Sequence, residues 1–202
     1  MDRSDLKLVP LVQARALAER SDEELMVAAA ADARAAFAIL VERHLPKVIN
    51  YCAKATGDRR AAEDLAQDVF LGVWARREQF RPERAFRVFL FTVACNRCRN
   101  HARSWRRRFR WLGVDASEDL PKAASADPSH IDELIVHERQ RRVRGAVTEL
   151  PVKLREAVLL RFEQDLSYAE IATIVRSNEA TVRSRVFHGL RRLEMLLEQE
   201  VP

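Results

Sequence analysis

Glycine is scarce, with five in 202 residues. A chain with so few permissive backbone positions, no alternating β-branched runs and abundant Ala, Leu, Arg and Glu has little from which to build hairpins, and reads as all-helical. Cysteine is scarcer still: Cys52, Cys95 and Cys98 make no even disulfide framework. No apolar run is long enough to span a bilayer, and the opening MDRSDLKLVP lacks the apolar core of a signal peptide. The expectation is a cytoplasmic protein with no membrane insertion. Equally missing are a Gly-rich phosphate loop, HExxH, GxSxG and a carboxylate cluster in a plausible cleft, so the chain is expected not to be an enzyme, with no catalytic residues and no cofactor. Cys95-x-x-Cys98 with His101 invites a metal or redox reading. Both thiols fall on an apolar helical face without a second Cys/His pair at ligand spacing, so they read as buried free thiols and no metal is expected.

What is present is unevenly placed charge. The net charge of +5 is modest, but arginines crowd 97–110 and 183–192 while 115–133 is mostly acidic. Such asymmetry points to a polyanion partner. The length suits one large or two small domains.

The most informative stretch is DLSYAEIATIVRSNEATVRSRVFHGLRRL, residues 165–193. Ser167 with Glu170 is a capping box that starts a short helix carrying Ile171, Ala172, Ile174 and Val175 inward. The polar run Arg176, Ser177, Asn178 breaks it, and Ser177 or Asn178 can cap a second helix. That second helix places Val182, Val186, Leu190, Leu193 and Leu197 on one stripe and Arg183, Ser184, Phe187, His188 and Arg191 opposite. From Thr181 to Arg192 every charged residue is Arg, which suits a helix entering the major groove. The blander reading is a basic face that is only solvated or packs on an acidic partner.

Earlier in the chain, Ser21 with Glu24 repeats the capping box. A longer helix follows with Phe37, Leu40, Val41, Leu45, Val48, Ile49 and Cys52 at core spacing, and Pro46 is expected to bend or divide it. A third helix over about 58–77 turns Ala62, Leu65, Val69 and Val73 inward, while Asp64, Gln67, Asp68, Leu71 and Trp74 project outward. An outward leucine among acids reads either as a docking surface or as packing of Leu71 and Trp74 on a neighbouring helix. Over 84–111, Phe91, Ala94, Cys95, Cys98, Ala102, Trp105 and Phe109 share one face, and Asn96, Asn100, Arg103, Arg107 and Arg110 another. The second face offers donors for phosphates and base edges.

Residues 112–132 are small, acidic and proline-containing and read as a flexible linker, whose charge could shield a basic face. The chain then divides into an unassigned lead-in (1–20), a first domain (21–111), the linker, and a second domain (133–199). That second domain has four helices: one ending in GAVTEL, one opened by Pro151, and the capped pair. The fold expected is two small helical domains, the C-terminal one a helix-turn-helix, winged-helix-like unit.

AEDLAQDVFLGVW, FLFTVACNRCRN followed by basic residues, ELPVKLREAVLLRF, and LSYAEIATIV with ATVRSRVFHGLRRL together resemble the extracytoplasmic-function (ECF) sigma factors of bacterial RNA polymerase, over about 20–197. The resemblance implies that the first domain binds the clamp helices of core polymerase through Asp64, Gln67, Asp68 and Leu71. It places Asn96 and Asn100 on the −10 strand, with Arg103 and Arg107 near its phosphates. It sets Arg183, Ser184, Phe187 and His188 against the −35 duplex, with Thr181 and Arg185 holding phosphate or the helix start. An anti-sigma factor partner is implied as well. Phe89, Asn100, Arg176 and His188 depart from the residues many relatives carry there, namely Trp, Asp, Gly and Arg. The competing reading is a conventional regulator that binds a palindromic site without polymerase.

Overall fold

The computed structural model describes residues 17–111 and 141–198, the side chains of 105–111 excepted. The lead-in up to residue 16, the linker with its proposed shielding role, and the start of the helix before residue 141 lie outside the described residues. No strand occurs among those described.

The N-terminal domain holds α1 (Asp22–Ala30), α2 (Arg34–Thr56), α3 (Ala62–Ala75), a 3-10 turn (Arg77–Gln79) and α4 (Phe86–Trp111). α1 starts at the expected capping box: the Ser21 N–H donates to Glu24 Oε2 at 2.8 Å, and the Glu24 N–H donates to Ser21 Oγ at 3.2 Å. α2 packs against α1, α3 and α4 and is the spine of this domain. It runs unbroken through Pro46, so of the two expected outcomes, a bend or a division, the division does not occur. Proline removes only one backbone bond, and the buried Leu40, His44, Val48 and Tyr51 hold the turns on both sides of it. Gly57 ends the helix at φ 76, a left-handed conformation in which a side chain would be strained. The third helix starts later than 58, because Asp58 Oδ1 accepts from the N–H groups of Arg60 and Ala61 and forms a turn first.

α4 is capped from outside: Glu23 Oε1 of α1 accepts the Phe86 N–H at 2.8 Å. Around Tyr51, Phe86, Phe91, Leu25, Met26 and Leu40, all buried, the four helices form one core, with the Tyr51 and Phe91 rings 5.4 Å apart edge to face.

The C-terminal domain contains α5 (141–149), α6 (Val152–Phe162), α7 (Tyr168–Val175) and α8 (Glu179–Glu198). Pro151 immediately precedes α6. The Ser167–Glu170 capping box opens α7, and Arg176 closes it at φ 52. Asn178 Oδ1 then accepts the Thr181 N–H at 2.7 Å and starts α8. α6 and α8 cross closely, with Val182, Val186 and Gly189 buried.

The two domains share one cluster of buried apolar residues and also meet through several polar contacts. Arg155 of α6, itself buried, donates to the Ala55 carbonyl of α2 at 2.8 Å and to the carbonyls of Thr148 and Leu150. Lys54 and Asn50 of α2 both reach Glu163, and Arg87 of α4 donates to the Gln164 carbonyl at 3.1 Å. Glu156 of α6 receives Arg99 of α4.

Candidate nucleic-acid and partner interfaces

α3 presents its outward set as expected. Ala62, Leu65, Ala66, Val69, Phe70 and Val73 are buried, whereas Asp64, Gln67, Asp68 and Leu71 all face solvent. Leu71 is 65% exposed, far more than a packed leucine would be. Trp74 does not belong to that surface. Its ring tilts against Phe37 with 5.0 Å between centroids, and the Arg77 guanidinium lies over it at 4.4 Å. The packing alternative therefore holds for Trp74 and fails for Leu71.

On α4, Asn96, Asn100 and Arg103 are exposed along one edge, and the Arg107 side chain lies outside the described residues. The opposite edge is core, with Phe91, Ala94, Cys95 and Cys98 buried. The Cys98 and Cys52 thiols are 3.7 Å apart and the Tyr51 hydroxyl sits 3.0 Å from Cys95 Sγ. Burial, with the field of Glu156 added, pushes the Cys95 thiol up to about 12, and contact with Cys52 together with burial raises Cys98 further. Both stay protonated near neutrality and are poor nucleophiles. Among the described residues no three His, Cys, Asp or Glu side chains are grouped so as to hold a metal ion.

α8 carries the third set. Arg183, Ser184, Phe187 and His188 are exposed, while Thr181 and Arg185 are half-buried at the helix edges. The Phe187 and His188 rings meet edge to face at 5.5 Å. Arg183 is held ready: it donates to Glu179 at 2.5 Å, one turn back, and its guanidinium lies 4.5 Å over the Tyr168 ring of α7. The inward stripe needs one correction. Leu190 is 42% exposed, and Gly189 takes its place against α6, because only a residue without a side chain fits beside Val158.

The sequence reading passed over Tyr168, Glu179 and Arg99. The i, i+4 spacing of Glu179 and Arg183 was a visible local signal. The partners of Arg99 and Tyr168 come from other helices and left none.

The Sigma-70 region 2 family model matches residues 40–108, and the Sigma-70 region 4 model matches residues 140–193. The RNA polymerase sigma factor CarQ of Myxococcus xanthus is 32% identical over 168 residues, covering 82% of this chain and 91% of the relative. The ECF RNA polymerase sigma-E factor of Escherichia coli (strain K12) is 32% identical over 160 residues, covering 76% and 82%. The chain belongs to the ECF sigma factors.

As an ECF sigma factor it directs RNA polymerase to promoters, and core polymerase and promoter DNA are its partners. The fold agrees. CnrH, solved in complex with the cytosolic domain of CnrY, is similar with a TM-score of 0.67 at 23% identity, covering 90% of this chain and 100% of that one. RpoE of Bartonella quintana, solved with the anti-sigma factor NepR, is similar with a TM-score of 0.67 at 24% identity, covering 82% and 98%. The conventional-regulator reading accounts for the second domain alone and leaves the region 2 match unexplained. No helix among the described residues is long and apolar enough to cross a membrane.

Proposed function

We propose a division of labour among the three surfaces. α3 docks on the clamp helices of core polymerase through Asp64, Gln67, Asp68 and Leu71. α4 captures the opened −10 strand, with Asn96 and Asn100 on base edges and Arg103 and Arg107 on phosphates. α8 reads the −35 duplex with Arg183, Ser184, Phe187 and His188, while Thr181 and Arg185 hold its backbone. The domains doing this work are 21–111 and 133–199, joined by the tether 112–132.

The observation that carries the assignment is the exposure of three separate sets on three helices whose other faces are core. A solvated surface has no need of a 65% exposed leucine among carboxylates, nor of Phe187 standing 57% exposed between arginines. Exposed amides beside guanidiniums suit unstacked bases and their phosphates, and a basic helix with an aromatic suits a major groove.

The chain acts in the cytoplasm, where its template and polymerase are, and the chemistry of RNA synthesis belongs to the polymerase. The solved relatives were captured with CnrY and with NepR, which supports an anti-sigma factor as a partner here.

The test is run-off transcription with purified full chain, core polymerase and a library of candidate promoters. Promoter-dependent transcripts that vanish with Asn96→Ala/Asn100→Ala and change −35 preference with His188→Ala are expected. Initiation unaffected by both variants would overturn the assignment.

A further inference from the structure

Arg99 lies among the candidate −10 residues, three after Asn96, one before Asn100 and four before Arg103. Its guanidinium is already occupied. Nε donates to Glu156 Oε1 at 2.7 Å and Nη2 donates to Oε2 at 2.6 Å, two parallel bonds to one carboxylate. That fork is the geometry in which arginine also holds a phosphate. Glu156 belongs to α6 in the other domain and is only 4% exposed.

Around the buried apolar residues that join the two domains, the seam that brings Glu156 there carries charges and backbone carbonyls, which water or another polar partner can replace. Lys54 and Asn50 hold Glu163, Arg155 holds the Ala55 carbonyl, and Arg87 holds the Gln164 carbonyl. Toward α7 a cleft of about 180 Å³ is lined by Arg81 and Arg84 from one domain and Arg176 from the other, like charges facing a shared space. Opposite charges thus close the seam near Arg99, while like charges line the cleft near Arg176.

We propose that Arg99 is a further DNA-backbone contact of the α4 face, masked in the free chain by Glu156, whose carboxylate stands where a phosphate would. The same bond latches the two domains together. This rests on the assignment of α4 as the strand-capturing face. Masking also places a negative charge beside the face and weakens the field that draws a nucleic acid in. When the domains part, Arg99 exchanges one bidentate oxyanion for another while Glu156 returns to water. Strand capture and domain opening are coupled by that exchange.

The test uses the full chain throughout. Small-angle X-ray scattering reports opening, and fluorescence anisotropy with a short labelled single-stranded DNA, at rising NaCl, reports binding. Glu156→Ala is expected to expand the particle, tighten DNA binding by about tenfold and steepen the salt dependence by about 0.7 per phosphate neutralised. R99A/E156A should be as expanded without the gain, whereas R60A/E156A, equal to it in charge, should keep most of it. The reversed pair R99E/E156R should return to the compact form with no gain, which guards against E156A merely misfolding. A wild-type chain already expanded, or an E156A chain as compact as wild type, would overturn the latch. Equal DNA binding by E156A and R99A/E156A would overturn the contact. If N96A/N100A leaves the E156A chain's DNA binding unchanged, the α4 assignment fails and the role of Arg99 falls with it, an outcome separate from any change in compactness.

Discussion

Gly189→Ala sets two calculable effects against each other. Gly189 is buried where α8 crosses α6, and a Cβ there would lie 2.5 Å from Val158 Cγ2, with Leu154 O and Cβ at 3.6 and 3.7 Å. In a helix interior, alanine is favoured over glycine by about 0.8–1.0 kcal/mol. Carbon atoms pack best at about 3.5–4.0 Å, so either Val158 or the whole of α8 must retreat by about 1 Å. Val158 is buried, and its branched side chain has essentially one helical rotamer, so it cannot swing aside. Overpacking of this kind costs about 1–3 kcal/mol, leaving a net destabilisation of about 1 kcal/mol. Val158→Ala removes the obstructing methyl. In that background Gly189→Ala should be stabilising by most of its propensity gain, giving a coupling of about 2 kcal/mol between the sites. Urea unfolding of the full chain and the three variants, followed by circular dichroism, measures all four corners. A Gly189→Ala chain more stable than wild type by about 1 kcal/mol would refute the reasoning, because α8 could then leave α6 without loss.

Further outcomes follow from the other surfaces. Asp64→Ala with Gln67→Ala, both exposed, should change stability by less than about 0.5 kcal/mol yet weaken competition for core polymerase by roughly tenfold; undiminished competition would remove α3 from the docking surface. Arg183→Ala should cost about 1–3 kcal/mol of discrimination at one base pair of the −35 element, read by competition with duplexes substituted position by position; a uniform loss at every position would make Arg183 a phosphate contact instead. Stability should also fall in alkali. The Cys95 thiol, ordinarily near 9.0, is pushed up to about 12 by burial, and burial raises the Tyr51 phenol. The folded chain therefore holds these protons more tightly than the unfolded one. The Cys95 contribution is complete below 9.0 and is lost as pH rises toward about 12, at up to about 1.4 kcal/mol per pH unit, and Tyr51 acts in the same direction at higher pH. A midpoint of unfolding that stays flat across that window would contradict it.

What could be read from the sequence was what neighbours along the chain decide. Both capping boxes, Ser21 with Glu24 and Ser167 with Glu170, are settled within four residues and form as expected. Helical projection likewise separated Asn96 and Asn100 from Cys95 and Cys98, because adjacent positions on a helix must diverge by about 100°. The misses involve two distant segments. Pro46 does not divide α2, since residues from other helices bury both of its flanks. Leu190 left the inward stripe because α6 approaches along Val182, Val186 and Gly189, a choice made by Val158 thirty-one residues away. The engagement of Arg99 by Glu156 depends on how two domains meet, and no periodicity within either helix encodes it.

Arg176 occupies a backbone conformation that glycine would enter without cost, at φ 52. An L-residue there carries roughly 1 kcal/mol of strain, stored in the short turn that joins α7 to α8. The same residue brings its positive charge to the mouth of the cleft shared with Arg81 and Arg84. A single residue thus stores backbone strain between α7 and α8 and adds a third like charge to the cleft between the domains.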